Sequence, residues 1–189
     1  MAFDHKLRAV IFDIDNTLYD FTGTNSLAVT AVAEYAEKSF GWPAEEFKSR
    51  YASVQKRILE ACGMNGSCRN RILRFQTILE EAGLPLSPHA IAMYDLYWDT
   101  LIENMTPFEG AEDAMATAAE LGLRIGICTD MTAYSQFRKL EKMKLLRYVD
   151  FMAASEEAGV EKPSPEIFAL CIRKAGCLPE ECIFIGDHP

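Results

Sequence analysis

Four short runs limit the fold of this chain more than any other feature: LRAVIF at 7–12, LRIGIC at 123–128, YVDFMA at 148–153 and CIFIG at 182–186. They are rich in β-branched and aromatic residues, and the first is apolar without alternation from Ala9 to Phe12. A strand that is apolar on both sides has to be covered on both faces, as in a parallel sheet lying between helices. Helical patterns at 109–122, 132–146 and 164–176 precede the second, third and fourth runs in turn. Alternation at this spacing predicts right-handed βαβ crossovers and an α/β fold, a Rossmann-like parallel sheet.

Between the first and second strands the rhythm breaks. The stretch from about 20 to 105 reads as helix after helix with no strand signal. NSLAVTAVAEYAEKSFG at 25–41 stops on a glycine, and Pro43 begins the next helix. Two more helical patterns follow, with caps expected at Ser67, Gly83 and Ser87. So long an insertion exceeds any ordinary loop. The expected organisation is a core of residues 1–20 and 105–189 and an all-helical insert, 21–104.

Composition removes several functions. A net charge of −9 opposes non-specific binding to nucleic acid polymers or anionic membranes, which need basic surface. No apolar stretch approaches the ~18 residues of a membrane span, and Met1–Lys6 is too polar and short for a signal peptide. The chain has 6 cysteines, none in a C-x-x-C pair, with Cys128, Cys171 and Cys182 inside apolar runs. That usage suits buried reduced thiols in a cytoplasmic protein rather than a structural zinc site. The expected assembly is a monomer or homodimer.

The first strand runs straight into Asp13 and Asp15, although burying an ionised carboxylate is costly unless something pairs with it. In open parallel sheets, ligands bind outside the carboxyl ends of the strands. The second strand delivers Thr129 and Asp130 to that edge, and the last delivers Asp187. Acids meeting in one crevice repel each other, so the site calls for a cation. Oxygen-only ligands suit Mg²⁺, which keeps waters and accepts phosphate oxygens. Lys162, just before a helix, supplies a further positive charge.

DIDNT at 13–17, CTD at 128–130, KP at 162–163 and GDHP at 186–189 resemble the four ordered motifs of the haloacid dehalogenase-like hydrolase superfamily. The helical insert after the first motif resembles its type 1 cap. The resemblance implies that Asp13 is the nucleophile that forms an aspartyl-phosphate. Asp15 would be the general acid, then the base that activates water, a role needing a raised pKa that crowding beside Asp13 could supply. Thr129 and Lys162 would bind the phosphoryl group, and Asp13, the backbone carbonyl of Asp15, and Asp187 would hold Mg²⁺. Dehalogenases of the superfamily generally lack an acid at the position of Asp15, because a halide leaves without a proton. An acid there points to phosphoryl transfer. The resemblance thus implies a phosphatase acting on a small phosphorylated metabolite, such as a nucleotide, sugar or organic acid phosphate. The family's fourth motif ordinarily continues with a further acid, strand and helix, so a core truncated at Pro189 is expected. A phosphomutase of the same fold and a catalytically silent binding module are the alternatives.

Bland roles compete for some residues. Asn16 and Thr17 are expected in a turn, Thr129 could cap the helix near 132, and Asp130 reads as a turn residue or a support for its neighbours. Arg69, Arg71 and Arg74 read as a solvated helical face near Glu80 and Glu81, with a minority reading in which one arginine reaches an anionic substrate. Tyr94, Tyr97 and Trp98 are expected to pack between helices. His5, His89 and His188 have no metal-ligand spacing, although His188 should lie near the metal edge.

Overall fold

The computed structural model describes residues 7–63 and 65–187, with the backbone alone at Ser67. Four strands, β1 (Ala9–Phe12), β2 (Arg124–Thr129), β3 (Phe151–Ala154) and β4 (Cys182–Ile185), form one parallel sheet in the order β3-β2-β1-β4. The α/β expectation is met. β1 is interior and buried along its whole length, which accounts for its unbroken apolar sequence. Register places Phe12 opposite both Ile127 and Ile185, so β1, β2 and β4 end at nearly the same level.

Gly126 shows how tightly the sheet is covered. A Cβ at this position would lie 2.2 Å from Cζ of Phe151 on the neighbouring strand. Between the strands run α5 (Ala111–Glu120), α6 (Ala133–Lys142), α7 (Ser155–Ala158) and α8 (Pro165–Ala175). Ile11, Cys128, Ala153, Ile167 and Cys171 form a buried cluster between the sheet and α8. At the sheet edge, Ile183, Phe184 and Ile185 of β4 are exposed. All six cysteines are free; Cys128 and Cys171 are buried as expected, whereas Cys182 is half-buried on the edge strand.

The chain divides into two compact units: the described residues up to Phe21 with those from Met105 onward, and Thr22–Asn104. The second contains α1 (Phe21–Phe40, from Thr22), α2 (Ala44–Cys62), α3 (Arg71–Glu81) and α4 (His89–Glu103), with no strand among its described residues. Helical spacing produces its core. Phe47, Tyr51 and Val54 repeat along one face of α2, and Met93, Tyr97 and Leu101 along one face of α4. A ladder of rings, Phe47–Tyr51–Phe75–Tyr97–Trp98, joins successive helices at centroid spacings from 5.3 to 6.2 Å.

Three details differ from the sequence reading. The side chain that caps α3 belongs to Asn70, whose Oδ1 accepts from Ile72 N at 3.1 Å, and residues Gly66–Arg69 form a 3₁₀ turn instead. Proline at 88, without a side-chain bond, precedes α4 where Ser87 was expected to cap. Most consequentially, Arg71 and Arg74 are buried, at 3% and 2% exposure, not solvated.

Candidate active site

The carboxyl ends of β1, β2 and β4 bring the acids together because their strands are in register. Asp13 follows the last residue of β1, and its backbone N–H donates to Ile185 O at 2.8 Å. Gly186, next after β4, permits this approach: a Cβ there would stand 3.6 Å from Cβ of Asp13 and 2.8 Å from the Phe184 ring. A cavity of about 400 Å³ opens at this edge, lined by Asp13, Asp130, Lys162, Phe184 and Asp187 among others.

Asp13 is fixed at both oxygens. Oδ2 lies 2.6 Å from Nζ of Lys162, and Oδ1 accepts from Ile14 N at 2.7 Å. Burial pushes its carboxyl above the usual range, and the charge and hydrogen bond of Lys162 oppose this only in part. Lys162 is itself aimed by Asp130, whose Oδ1 accepts from the Lys162 backbone N–H at 2.9 Å. Asp130 therefore anchors the lysine loop, and burial raises its carboxyl too.

Asp15 faces a different set of partners. Nζ of Lys139, wholly buried, sits 2.6 and 2.9 Å from its two oxygens, and Tyr19 Oη donates to Oδ1 at 2.7 Å. Gln136 Nε2 reaches Oδ2 at 3.5 Å and binds Thr129 Oγ1 at 2.6 Å, linking Asp15 to Thr129. Burial alone would raise the Asp15 carboxyl, but the Lys139 charge and these hydrogen bonds bring it below the usual range. This corrects the expectation of a raised pKa: the buried ammonium and the hydrogen bonds outweigh burial. The lysine is boxed by aromatic faces, 5.7 Å from the Tyr19 centroid and 5.2 Å from that of Phe21.

Of the predicted residues, Asp13, Lys162 and Asp187 thus share one cavity, while Asp15 and Thr129 are joined beside it through Gln136. Thr129 does not cap α6; Thr132 occupies the N-cap position. His5 and His188 lie outside the described residues, and His89 pairs with Tyr35 Oη at 2.8 Å in the helical unit. Sequence reasoning missed Tyr19, Gln136 and Lys139. The available signal was the spacing of 136 and 139, which share the inward face of α6 with Leu140.

Backbone conformation around the acids is also specialised. Asn16 takes φ 58°, which asparagine tolerates, and Met131, immediately after Asp130, takes φ 93°. Such backbone is tolerated where surrounding bonds fix it, and Met131 N donates to Ser155 Oγ at 2.9 Å.

As a donor set for a cation, the cavity offers only carboxylate oxygens, which suits a hard divalent ion. Among the described residues no three acidic, histidine or cysteine side chains are grouped closely enough to hold a metal unaided. A cation here would take the rest of its shell from water, backbone carbonyl and phosphate oxygens, the usual habit of Mg²⁺.

The family model for haloacid dehalogenase-like hydrolases matches residues 7–189. The chain belongs to this family. Among curated HAD-like relatives, ribulose-1,5-bisphosphate 5-phosphatase of Halopiger xanaduensis is 32% identical over 181 residues, covering 95% of this chain and 76% of that protein. Glyceraldehyde 3-phosphate phosphatase of Methanopyrus kandleri is 29% identical over 184 residues, covering 96% and 76%. Among solved structures, a Bacillus subtilis HAD-hydrolase bound to magnesium shares the fold with a TM-score of 0.67 at 22% identity, over 97% of this chain and 81% of that one.

Proposed function

We propose that this HAD-like hydrolase is a Mg²⁺-dependent phosphatase of small phosphate monoesters that works through a phosphoaspartate on Asp13. The observation that carries the reading is the Asp13–Lys162 contact of 2.6 Å in a cavity also lined by Asp187. A lone buried carboxylate pair would be unfavourable there, but a nucleophile, a charge-neutralising lysine and a metal ligand belong together.

In this mechanism an oxygen of Asp13 attacks phosphorus while the bond to the ester oxygen breaks. Lys162 and Thr129 stabilise the charge on the phosphoryl oxygens. Asp15 gives a proton to the departing oxygen. The negative charge of an arriving phosphate opposes the ionised form of Asp15, so substrate itself shifts the carboxyl toward its acid form against the pull of Lys139. Asp15 then takes a proton from water as that water attacks phosphorus, which releases phosphate and restores Asp13. Asp13, Asp187 and the Asp15 carbonyl would hold Mg²⁺, which when bound neutralises phosphate charge.

The relatives' names place their substrates among phosphorylated sugars and aldehydes, and we assign this chain a small phosphorylated metabolite of that kind in the cytoplasm. The helical unit acts as the cap that selects the leaving group. No described helix is long and apolar enough to cross a membrane.

The test is phosphate release from a panel of sugar, aldehyde and organic acid phosphates with Mg²⁺ or with chelator. Activity should require the cation and fall by about three orders of magnitude or more in Asp13→Asn. Hydrolysis that survives in Asp13→Asn refutes the assignment.

A further inference from the structure

Two free, half-buried cysteines meet at the end of β4 that is far from the Asp13 cavity. Cys177 Sγ and Cys182 Sγ are 3.3 Å apart, and Cys182 Sγ also donates to Leu178 O at 3.4 Å. The local chain produces this contact. Gly176 ends α8 at φ 65°, a 3₁₀ turn follows at Pro179–Glu181, and β4 opens on Cys182. The turn is fixed by its own bonds: Leu178 N donates to Glu181 Oε2 at 2.8 Å and Glu181 N to Leu178 O at 3.0 Å. Arg8 N donates to Glu181 O at 2.9 Å and ties the turn to the start of the sheet. The two sulfurs are thus held together before any reaction, which is the condition for a fast intramolecular step.

The thiols differ in access. Cys177 lines an open cavity of about 500 Å³, bordered by Arg8, Arg173 and Leu178. Cys182 packs instead against the buried cluster between the sheet and α8. Burial, then the hydrogen bond and charge of Cys177, push the Cys182 thiol up to about 12, so it keeps its proton at neutral pH. The pair therefore has an outer sulfur that a solute reaches and an inner sulfur in contact with whatever forms there.

The geometry points to Cys177 and Cys182 as a site of reversible oxidation by a peroxide, closing a disulfide between the end of α8 and the start of β4. First, the Cys177 sulfur, as thiolate, attacks one peroxide oxygen and the O–O bond breaks. The other oxygen leaves as hydroxide and takes up the thiol proton to become water, and Cys177 becomes a sulfenic acid. Next, the Cys182 sulfur attacks the sulfenic sulfur and the S–O bond breaks. The departing hydroxide leaves with the Cys182 proton as a second water. The two sulfurs give up two electrons in all, and one peroxide is reduced to two waters. A small dithiol restores both thiols by exchange. Cys182 thereby removes the sulfenic acid before a second peroxide converts it to sulfinic acid, from which a thiol does not recover it. Disulfides of cytoplasmic proteins are mostly transient bonds of this kind. The site goes beyond the phosphatase reading and does not depend on it.

The test treats the folded full chain with hydrogen peroxide, then with an alkylating agent, and finishes with trypsin and mass spectrometry. No Lys or Arg lies between Ala175 and Pro189, so both cysteines fall in one peptide. That peptide should be lighter by two hydrogens and carry no alkyl group, and dithiothreitol given before alkylation should return both alkyl groups. Cys182→Ser should stop at a sulfenic acid on Cys177, trapped by dimedone, and without dimedone should lose Cys177 to a product that dithiothreitol does not restore. Cys177→Ser should leave Cys182 reduced at the same dose. A peptide that keeps both alkyl groups while the exposed Cys62 is oxidised overturns the site. So does Cys177 or Cys182 joined to another cysteine, or a Cys182→Ser variant whose Cys177 recovers as fully as the parent's.

Discussion

Replacing Lys139 by methionine removes the ammonium from Asp15 while keeping most of the side chain's volume, and the size of its effect can be worked from the structure. Direct attraction at the observed 2.6 and 2.9 Å is about 6 kcal/mol at an effective dielectric constant near 20. Most of that offsets the cost of burying the lysine, so the pair adds little net stability. The variant is different, because it leaves a carboxylate without its counter-charge. Breaking a fully buried pair this way costs about 3–5 kcal/mol. The Asp15 side chain is 22% exposed and keeps Tyr19 and Gln136, which places the loss at about 2–3 kcal/mol. Replacing both partners, as Lys139→Met with Asp15→Asn, removes the stranded charge and should return stability to within about 1 kcal/mol of the parent.

Urea denaturation, read by a probe in the α/β unit, separates these cases, with a melting shift of about 5–10 °C expected for the single variant. Dependence on pH gives a second check. In the parent, Asp15 lies below its ordinary value, so it contributes stability above about pH 4 and loses it as pH falls through the folded value. In Lys139→Met, burial, the largest influence on Asp15, is opposed only by the hydrogen bonds of Tyr19 and Gln136, and the carboxyl rises above its ordinary value. The destabilisation is therefore largest at neutral pH and shrinks on acidification, as Asp15 takes up a proton. A single variant as stable as the parent at pH 7, or a double variant as unstable as the single, refutes the reasoning.

Two further substitutions probe the core. Lys162→Met should lower phosphatase kcat by about 10²–10³ with little change in far-UV circular dichroism, since Lys162 meets Asp13 and, in the proposed mechanism, would meet the phosphoryl charge. Unaltered kcat removes Lys162 from the mechanism. Gly126→Ala forces a methyl to within 2.2 Å of the Phe151 ring and should cost about 1–3 kcal/mol in chemical denaturation. A neutral result there means the ring moves aside without loss.

The sheet and its helices were legible because period and punctuation come from local chemistry. AVIF is apolar on both faces because β1 is interior, and Gly41 and Gly83 stop helices by taking positive φ at 72° and 65°. The caps of α3 and α4 were less legible, since Ser67, Asn70 and Ser87 are all acceptable N-cap types by composition. Only the path of the chain selects Asn70. In the site, Asp13 and Asp187 could be placed together because strand ends converge by topology, whereas Lys162, which no strand delivers, was placed by its order among the four motifs.

The buried cations stayed hidden for one reason. Lys139 in TAYSQFRKLEKMKLL and Arg71 and Arg74 in RNRILRFQTILEE sit on amphipathic helices, where a long cationic side chain ordinarily marks the wet face. Periodicity assigns each to an angle on the helix but carries no information about the acceptors waiting at that angle. For Lys139 the acceptor is Asp15, 124 positions away; for Arg74 the acceptors are Tyr51 and Gln55 on another helix. A buried cation is stable only through such partners, so it becomes readable when they are in view. Arg74, with no carboxylate partner among the described residues, meets this condition through the neutral oxygens of Tyr51 and Gln55.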